Sequence, residues 1–257
     1  MGKNVNRAKN PVKSALTTLR IVEALKDREG ARVTDLAQDL DLPKSSVHNY
    51  LSTLEQEEYV VKCDNRYYVG LKFLDIGTEA RNRLSIHDIA KPEMQSLAEQ
   101  TGELSNLLVE EHGKGVYIHR EVGEDAVQVD ATTGQRVHLH NTGLGKAILA
   151  HLPPERVEEI LDRHGMPATT ENTITDPENL FDELAEIRDR GVAFDREERL
   201  NGLRCVAAPI LDQEDEVVGA VSVSGPRSRM STERFREDIP TLLRNAVNII
   251  ELNIAYR

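Results

Sequence analysis

With 257 residues, 39% of them hydrophobic, the chain is long enough for two buried cores, of about 75 and about 170 residues. No apolar run approaches the roughly 18 residues of a membrane span, the start lacks a signal-peptide core, and Cys63 and Cys205 belong to different regions, so a soluble chain in a reducing cytoplasm with no membrane partner is expected. The formal charge of −12 argues against a nucleic-acid partner until it is divided: residues 1–77 carry 12 Lys plus Arg against 11 Asp plus Glu, and residues 78–257 carry 20 against 33.

The acidity therefore belongs to the second region. In the first, residues 1–11 read as a basic arm, because Lys3, Arg7 and Lys9, followed by Lys13, precede any acidic residue. Such an arm reaches phosphates or a minor groove, or it is a solvated tail. The excess of Arg, 22 against 10 Lys, suggests a cytoplasm of high salt, where phosphate contacts weaken and base contacts carry more of any DNA binding.

A first helix is expected over about Ser14 to Glu29, with Leu16, Leu19, Val22 and Leu25 covering the two helices that follow. Thr34 is placed to cap the second helix, which buries Leu36, Ala37 and Leu40 and is stopped by Asp41-Leu42-Pro43. Lys44 to Glu58 form the third, its apolar Val47, Tyr50, Leu51 and Leu54 on one side and the short polar groups Ser45, Ser46, His48, Asn49, Ser52 and Thr53 on the other. Those outer groups suit base edges and phosphate oxygens. Tyr59 to Lys62 and Arg66 to Val69 then read as a hairpin around Cys63-Asp64-Asn65, with Lys62 and Arg66 flanking its tip. Helix, helix and hairpin in this order make a winged helix-turn-helix over residues 12–72. Its expected DNA face is Thr34, Lys44, Ser45, Ser46, His48, Asn49, Ser52, Lys62 and Arg66. The competing reading is a protein-docking module of the same geometry.

Leu71, Leu74 and Ile76 begin a linker helix over residues 73–85, and a further helix runs from Ile86 to Thr101 with Pro92 in or near its first turn or kinking it. The period then changes to two. Leu104–Val109, Val116–His119, Val127–Val129, Val192–Phe194, Cys205–Leu211 and Val217–Val223 are strand candidates. Helices at Gly145–Leu152, Pro154–His164, Glu178–Arg190 and Thr232–Tyr256 interleave with them. Residues 86–257 are thus expected to form an α+β domain with an antiparallel central sheet.

The motifs add up to a family. Pro43-Lys44-Ser45-Ser46-Val47-His48, Tyr68-Val69-Gly70, Thr101-Gly102-Glu103, His140-Asn141-Thr142-Gly143-Leu144-Gly145-Lys146-Ala147, Asp195-Arg196-Glu197-Glu198, Gly202 to Pro209 and Ser222-Val223-Ser224-Gly225-Pro226 stand in an order and spacing that resemble the IclR family of transcriptional regulators over almost the whole chain. The resemblance implies a GAF-like effector domain binding a small organic acid, and homodimers or dimers of dimers on double-stranded operator DNA. It also implies ligand contacts at Gly143, Leu144, Asp195, Cys205, Ser222 and Ser224, with Gly145 and Leu203 in the same motifs. Two positions depart from the family: Asn49 stands where Arg is common and Tyr50 where Leu is usual. Asn favours adenine where Arg favours guanine or phosphate.

The residues support the pocket on chemical grounds. Gly143-Leu144-Gly145 ahead of a Lys146–Leu152 helix would offer free N–H groups to an anion, with no Cβ in the way at two positions. Ser222 and Ser224 share one face of a strand, and Cys205, Ala207 and Pro209 share one face of another. Bland readings exist for each: the glycines as a tight turn and close packing, the serines as a solvated edge, Asp195 as a loop brace with Arg196 or Arg204, and Cys205 as inert packing. Lys146 lacks the full phosphate-loop pattern. His138 and His140, with His112, His119, His151 and His164 in the same domain, raise a metal site, but no third ligand is assigned by spacing, so no metal and no cofactor are expected. The expected function is an effector-controlled, sequence-specific DNA-binding regulator and not an enzyme. The alternative enzyme would use Cys205 or Ser224 as nucleophile, yet neither has an adjacent His in a recognisable arrangement.

Overall fold

The structure is a computed structural model in which residues 8–127 and 132–256 are described. The arm residues Lys3 and Arg7, and most of the strand expected at Val127–Val129, lie outside that range. The chain divides between Ala80 and Arg81 into two compact units.

The first unit begins with α1 (Lys13–Asp27), α2 (Val33–Leu40) and α3 (Lys44–Gln56), followed by the antiparallel hairpin β1 (Val60–Cys63) and β2 (Arg66–Val69). The hairpin pairs Val60 with Val69 through to Cys63 with Arg66, so Cys63 closes the strand and Asp64, at φ 54°, begins a turn of two residues. Ala31, between α1 and α2, bridges to Tyr67 by reciprocal backbone bonds of 3.0 and 2.8 Å and adds a third rung to the wing. Ile21, Leu25, Leu36, Val47, Leu51, Val60 and Tyr67 close the core.

Two expectations for this unit are corrected. Leu25 and the half-buried Val22 cover the core as expected, but Leu16 and Leu19 stand 49% and 58% exposed, because α1 turns Ile21 inward in their place. Thr34 does not cap α2. Arg32 holds the extended cap position, and the Asp35 carboxylate three residues on accepts its N–H at 3.1 Å. The linker helix α4 (Lys72–Asn82) has no buried residue.

The second unit is built on a six-stranded antiparallel sheet in the order β5-β4-β3-β8-β7-β6, from β3 (Leu104–Glu111), β4 (Lys114–Val122), β5 (Arg136–Val137), β6 (Ala193–Arg196), β7 (Leu203–Leu211) and β8 (Val217–Pro226). On one face lie α5 (Ile86–Thr101) and α9 (Ile239–Ala255), packed on Leu107, Val109, Val206, Ala208, Val221 and Val223. On the other lie α6 (Gly143–Leu149), α7 (Pro154–His164) and α8 (Pro177–Arg190), packed on Leu108, Ala193, Cys205, Ala207 and Ala220. This is the expected α+β class. Alternation along the strands sorts residues into the two cores, interrupted by register shifts in the β3–β4 and β7–β8 pairings.

Three details differ from the sequence pattern. Pro92 lies inside α5, past the first turn. The helix expected from Thr232 to Tyr256 starts with a π-helical turn, Arg234–Asp238, from which the Arg234 side chain reaches Thr101 and the buried Glu103 carboxylate. The glycine loop is itself the first turn of α6: Thr142 is the cap, and its Oγ1 accepts the Gly145 N–H at 2.9 Å. Gly145 is therefore not a free donor. A Cβ there would lie 2.2 Å from the Leu139 carbonyl oxygen and 2.4 Å from the Leu139 Cα, so glycine lets α6 sit directly on that backbone. Gly145→Ala is expected to cost about 1–3 kcal/mol of stability, since backbone rather than a mobile side chain must yield. Urea unfolding of the full chain checks this, and an unchanged midpoint would contradict it.

Candidate functional site

The polar side of α3 is presented as expected. Lys44, Ser45, His48, Asn49 and Ser52 are exposed and Ser46 is half-buried, while Val47, Leu51 and Leu54 hold the helix to the core. His48 Nδ1 and Ser52 Oγ lie 3.5 Å apart, and the Thr53 hydroxyl donates to the Asn49 carbonyl at 3.0 Å. Thr34 is exposed on α2 and Lys62 on the wing, where the Lys62 ammonium sits 5.4 Å from the Tyr67 ring centre. Arg66 is the exception: half-buried, its guanidinium donates to the Gly30 carbonyl and braces the wing against the α1–α2 turn.

Lys72 and Phe73, absent from the expected site, fasten the linker to this unit. Lys72 Nζ donates to the Glu57 carbonyl at the end of α3 (3.0 Å) and lies 4.7 Å from the Tyr59 ring, which also packs on Phe73 at 5.1 Å. A lysine beside the carbonyl end of a helix also complements its dipole.

In the second unit the sheet register gathers the expected ligand residues. Asp195 pairs with Cys205 and Cys205 with Ser224; on the next rung Ala207 pairs with Ser222 and Ser222 with Asn106. All six share the α6 side. Gly143 lies over them, since a Cβ there would be 3.3 Å from Cys205 Sγ and 3.5 Å from both the Asp195 and Ala207 Cβ atoms. Leu144 is buried beside it, and Leu203 is buried one alternation along β7 from Cys205. Helix geometry leaves the N–H groups of Gly143 and Leu144 without intrahelical acceptors. β8 is an interior strand, so the serines are not a solvated edge.

Asn106 joins the cluster unannounced. Its signal was available: it is a polar residue alternating between Leu104 and Leu108 within an apolar stretch of the strand. Asn106 Oδ1 and Ser222 Oγ are both buried; the amide oxygen has no hydrogen-bond partner, and the hydroxyl has only the Cys205 thiol beside it. Buried polar atoms without partners are uncommon and mark places where a further group can bind.

Asp195 and Cys205 are both shifted toward their neutral forms. Burial, then the neighbouring Glu198 carboxylate, pushes the Asp195 carboxyl up to about 7, although its Oδ1 accepts the Glu198 N–H at 2.7 Å. Asp195 is thus also a loop brace, through this backbone bond rather than through Arg196 or Arg204. Burial, then Asp195, pushes the Cys205 thiol up to about 12, and burial does the same to the Tyr117 hydroxyl, which accepts from Arg199 at 2.6 Å. A thiol so disfavoured as thiolate is a poor nucleophile.

Lys146 points inward, fully buried, with its Nζ 2.6 and 2.7 Å from the two Glu198 oxygens and 3.8 Å from Glu183. The histidines meet in pairs, His138 with His140 at 5.4 Å and His87 with His119 at 5.1 Å between ring centres, rather than as a set of three. His138 Nε2 meets Lys114 Nζ at 2.8 Å, His164 meets the His112 carbonyl, and His140, buried against the Pro167 carbonyl, is pushed down to about 4, mainly by burial. Among the described residues no group of three His, Cys, Asp or Glu side chains is placed to hold a metal ion.

Removing one partner of the Lys146–Glu198 pair leaves an unanswered buried charge. Glu198→Leu alone is expected to lose about 3–5 kcal/mol, and Lys146→Met combined with Glu198→Leu to lose less than the sum of the two single changes. Chemical denaturation of the four proteins of the cycle checks it, and additivity would sink it.

Residues 14–63 match the family description "IclR helix-turn-helix domain" and residues 78–251 match "Bacterial transcriptional regulator IclR C-terminal". A "Probable HTH-type transcriptional regulator ArcR" of Halobacterium salinarum is 32% identical over 247 residues, covering 95% of this chain and 94% of that protein. The crystal structure of the Thermotoga maritima IclR superposes with a TM-score of 0.78 at 32% identity, covering 95% of this chain and 99% of the other. An IclR homologue from Microbacterium hydrocarbonoxydans, solved in complex with 4-hydroxybenzoate, has the same fold, with a TM-score of 0.81 at 24% identity over 93% of this chain and 98% of the other.

Proposed function

The chain belongs to the IclR family of transcriptional regulators, and on that premise we propose that its affinity for operator DNA is set by a small organic acid bound between α6 and the β6–β7–β8–β3 face. The observation that carries the reading is the buried polar cluster of Asp195, Cys205, Ser222, Ser224 and Asn106, with the Asn106 amide oxygen lacking a partner and the Gly143–Leu144 backbone above it. The serine hydroxyls and the Gly143–Leu144 N–H groups can donate to a carboxylate, and Asn106 Oδ1 can accept from a hydroxyl on the same acid. That the Microbacterium homologue holds 4-hydroxybenzoate supports an organic acid as the class; keto, sugar and aromatic acids all fit it. The disfavoured Cys205 thiolate speaks against an enzyme built on that residue.

Lys44, Ser45, Ser46, His48, Asn49 and Ser52 would enter the major groove, with Thr34 and Lys62 at flanking phosphates and Arg66 holding the wing in shape. The exposed apolar faces of α1 (Val12, Leu16, Leu19) and of the linker (Leu71, 82% exposed, with Leu74 and Ile76) support association into a homodimer or dimer of dimers that presents two recognition helices to a palindrome. The acid would act by binding two arrangements of the dimer unequally.

A mobility-shift assay with the DNA upstream of the chain's own gene is expected to show saturable, salt-dependent binding, and none at low salt would favour a docking module. Asn49→Ala should weaken operator binding by about 1–3 kcal/mol with little change on random DNA. Equal losses on both would contradict base reading. Ser222→Ala with Ser224→Ala should abolish the change in operator affinity produced by the acid while leaving acid-free binding within about threefold, and an unaltered response would remove the serines from the site.

A further inference from the structure

Asp195 is an odd neighbour for an anion. It is buried, faces Cys205 across β6–β7, and lies under Gly143 at the centre of the proposed effector site. The charged and titratable groups around it are few. From α6 comes Lys146, whose ammonium is committed to both oxygens of Glu198. From the loop after β6 come Glu198 and Arg199, the latter engaged with the Tyr117 hydroxyl on β4. From β7 comes the Cys205 thiol. Glu198 already places one negative charge against Asp195, and a bound carboxylate would add a second in a site where Ser222, Ser224 and Asn106 can offer neutral dipoles but no countercharge. Carboxylates sharing a buried site do not all ionise; one keeps a proton.

We infer that the site takes its carboxylate anion together with one proton from solvent, held on Asp195, so that the effector response is linked to pH. The inference rests on the effector-site reading above. Its balance is simple: anion plus proton plus protein gives a complex in which Asp195 is neutral and donates a hydrogen bond to the acid. Burial and Glu198 already push the free Asp195 carboxyl up to about 7, so the neutral form dominates below that pH and is lost as pH rises through it. Below about pH 7 the anion then finds the proton in place; above it each unit of pH should weaken binding about tenfold, the limit for one linked proton.

The test is calorimetric titration of the full chain with pyruvate, gluconate and 4-hydroxybenzoate, all anions throughout, at about pH 6, 7 and 8 in buffers of different ionisation enthalpy. The expected result for an acid that binds is an affinity falling about fivefold from pH 7 to pH 8 and approaching tenfold per unit above that, with close to one proton taken up per ligand at pH 8 and close to none at pH 6. Asp195→Asn should make the affinity independent of pH and remove the proton uptake. In the ligand-free chain, the infrared band of a protonated carboxyl that titrates near pH 7 should vanish in Asp195→Asn. Binding with a flat pH profile and no proton uptake, or no such band at about pH 6, overturns the linkage and leaves the effector site standing. Failure of all three acids to bind at any pH overturns the site, and the linkage with it.

Discussion

The ammonium of Lys146 is fully buried, and the second unit is arranged around that charge. An unpaired ammonium in such surroundings would lose its proton or unfold the domain. Glu198 answers it with both carboxylate oxygens, at 2.6 and 2.7 Å, and Glu183 of α8 adds a weaker contact at 3.8 Å. Because the carboxylate is so placed, the backbone around it is placed as well. The Glu198 N–H binds Asp195, and the Glu198 carbonyl accepts the hydroxyls of Thr169, Thr170 and Thr173 at 2.9, 3.1 and 2.6 Å. One ion pair therefore joins α6, the end of β6, α8 and the threonine-rich segment before α8.

That arrangement also sets the character of the polar cluster. The lysine beside the glycine turn is withdrawn from any ligand, so recognition falls to short neutral groups and backbone N–H donors. Burial, aided by the Glu198 charge at Asp195 and by Asp195 at Cys205, shifts both groups toward their neutral forms. A site of this kind gains selectivity from the cost of leaving its buried polar atoms unpaired rather than from attraction at a distance. In the first unit the balance is reversed. α3 shows short, solvated side chains to the outside, and a near-neutral charge makes specific contacts matter more than net field.

Much of this was legible in the sequence where periodicity carried it. The register of the hairpin, the buried side of α3, the alternation in β7 and β8, and the family motifs all follow from residue type at fixed spacing, which is why Cys205, Ser222 and Ser224 arrive together as expected. What stayed hidden depends on partners distant in sequence. Leu16 and Leu19 are apolar at helical spacing, yet α1 also carries Ile21, and a helix apolar on two sides does not reveal which faces the core. Gly145 reads as a donor until Thr142 and Leu139 are placed against it. Lys146 resembles a phosphate-binding lysine because Glu198 lies 52 residues away. The short β5 lacks a strand pattern, since two residues are too few to show one.

The alternation of β8 decides where the effect of a bound acid would go. Ser222 and Ser224 face the polar cluster, while Val221 and Val223, between and beside them, belong to the core shared with α5 and α9. A strand cannot shift one set without the other, and a close-packed core responds to such a shift by moving as a block rather than by yielding locally. Within that core Ile86, Ala90, Met94 and Leu97 are the buried side of α5, and Ile86 is its first residue, next in the chain after the linker helix that ends at Asn82. The start of that linker is pinned to the recognition helix by Lys72 and Phe73. In the proposed regulator, the residues that sense the acid and those that orient α5 are thus neighbours on one strand. The linker helix α4 has no buried residue, and beyond Lys72 and Phe73 a change of arrangement there meets least resistance from the chain's own packing.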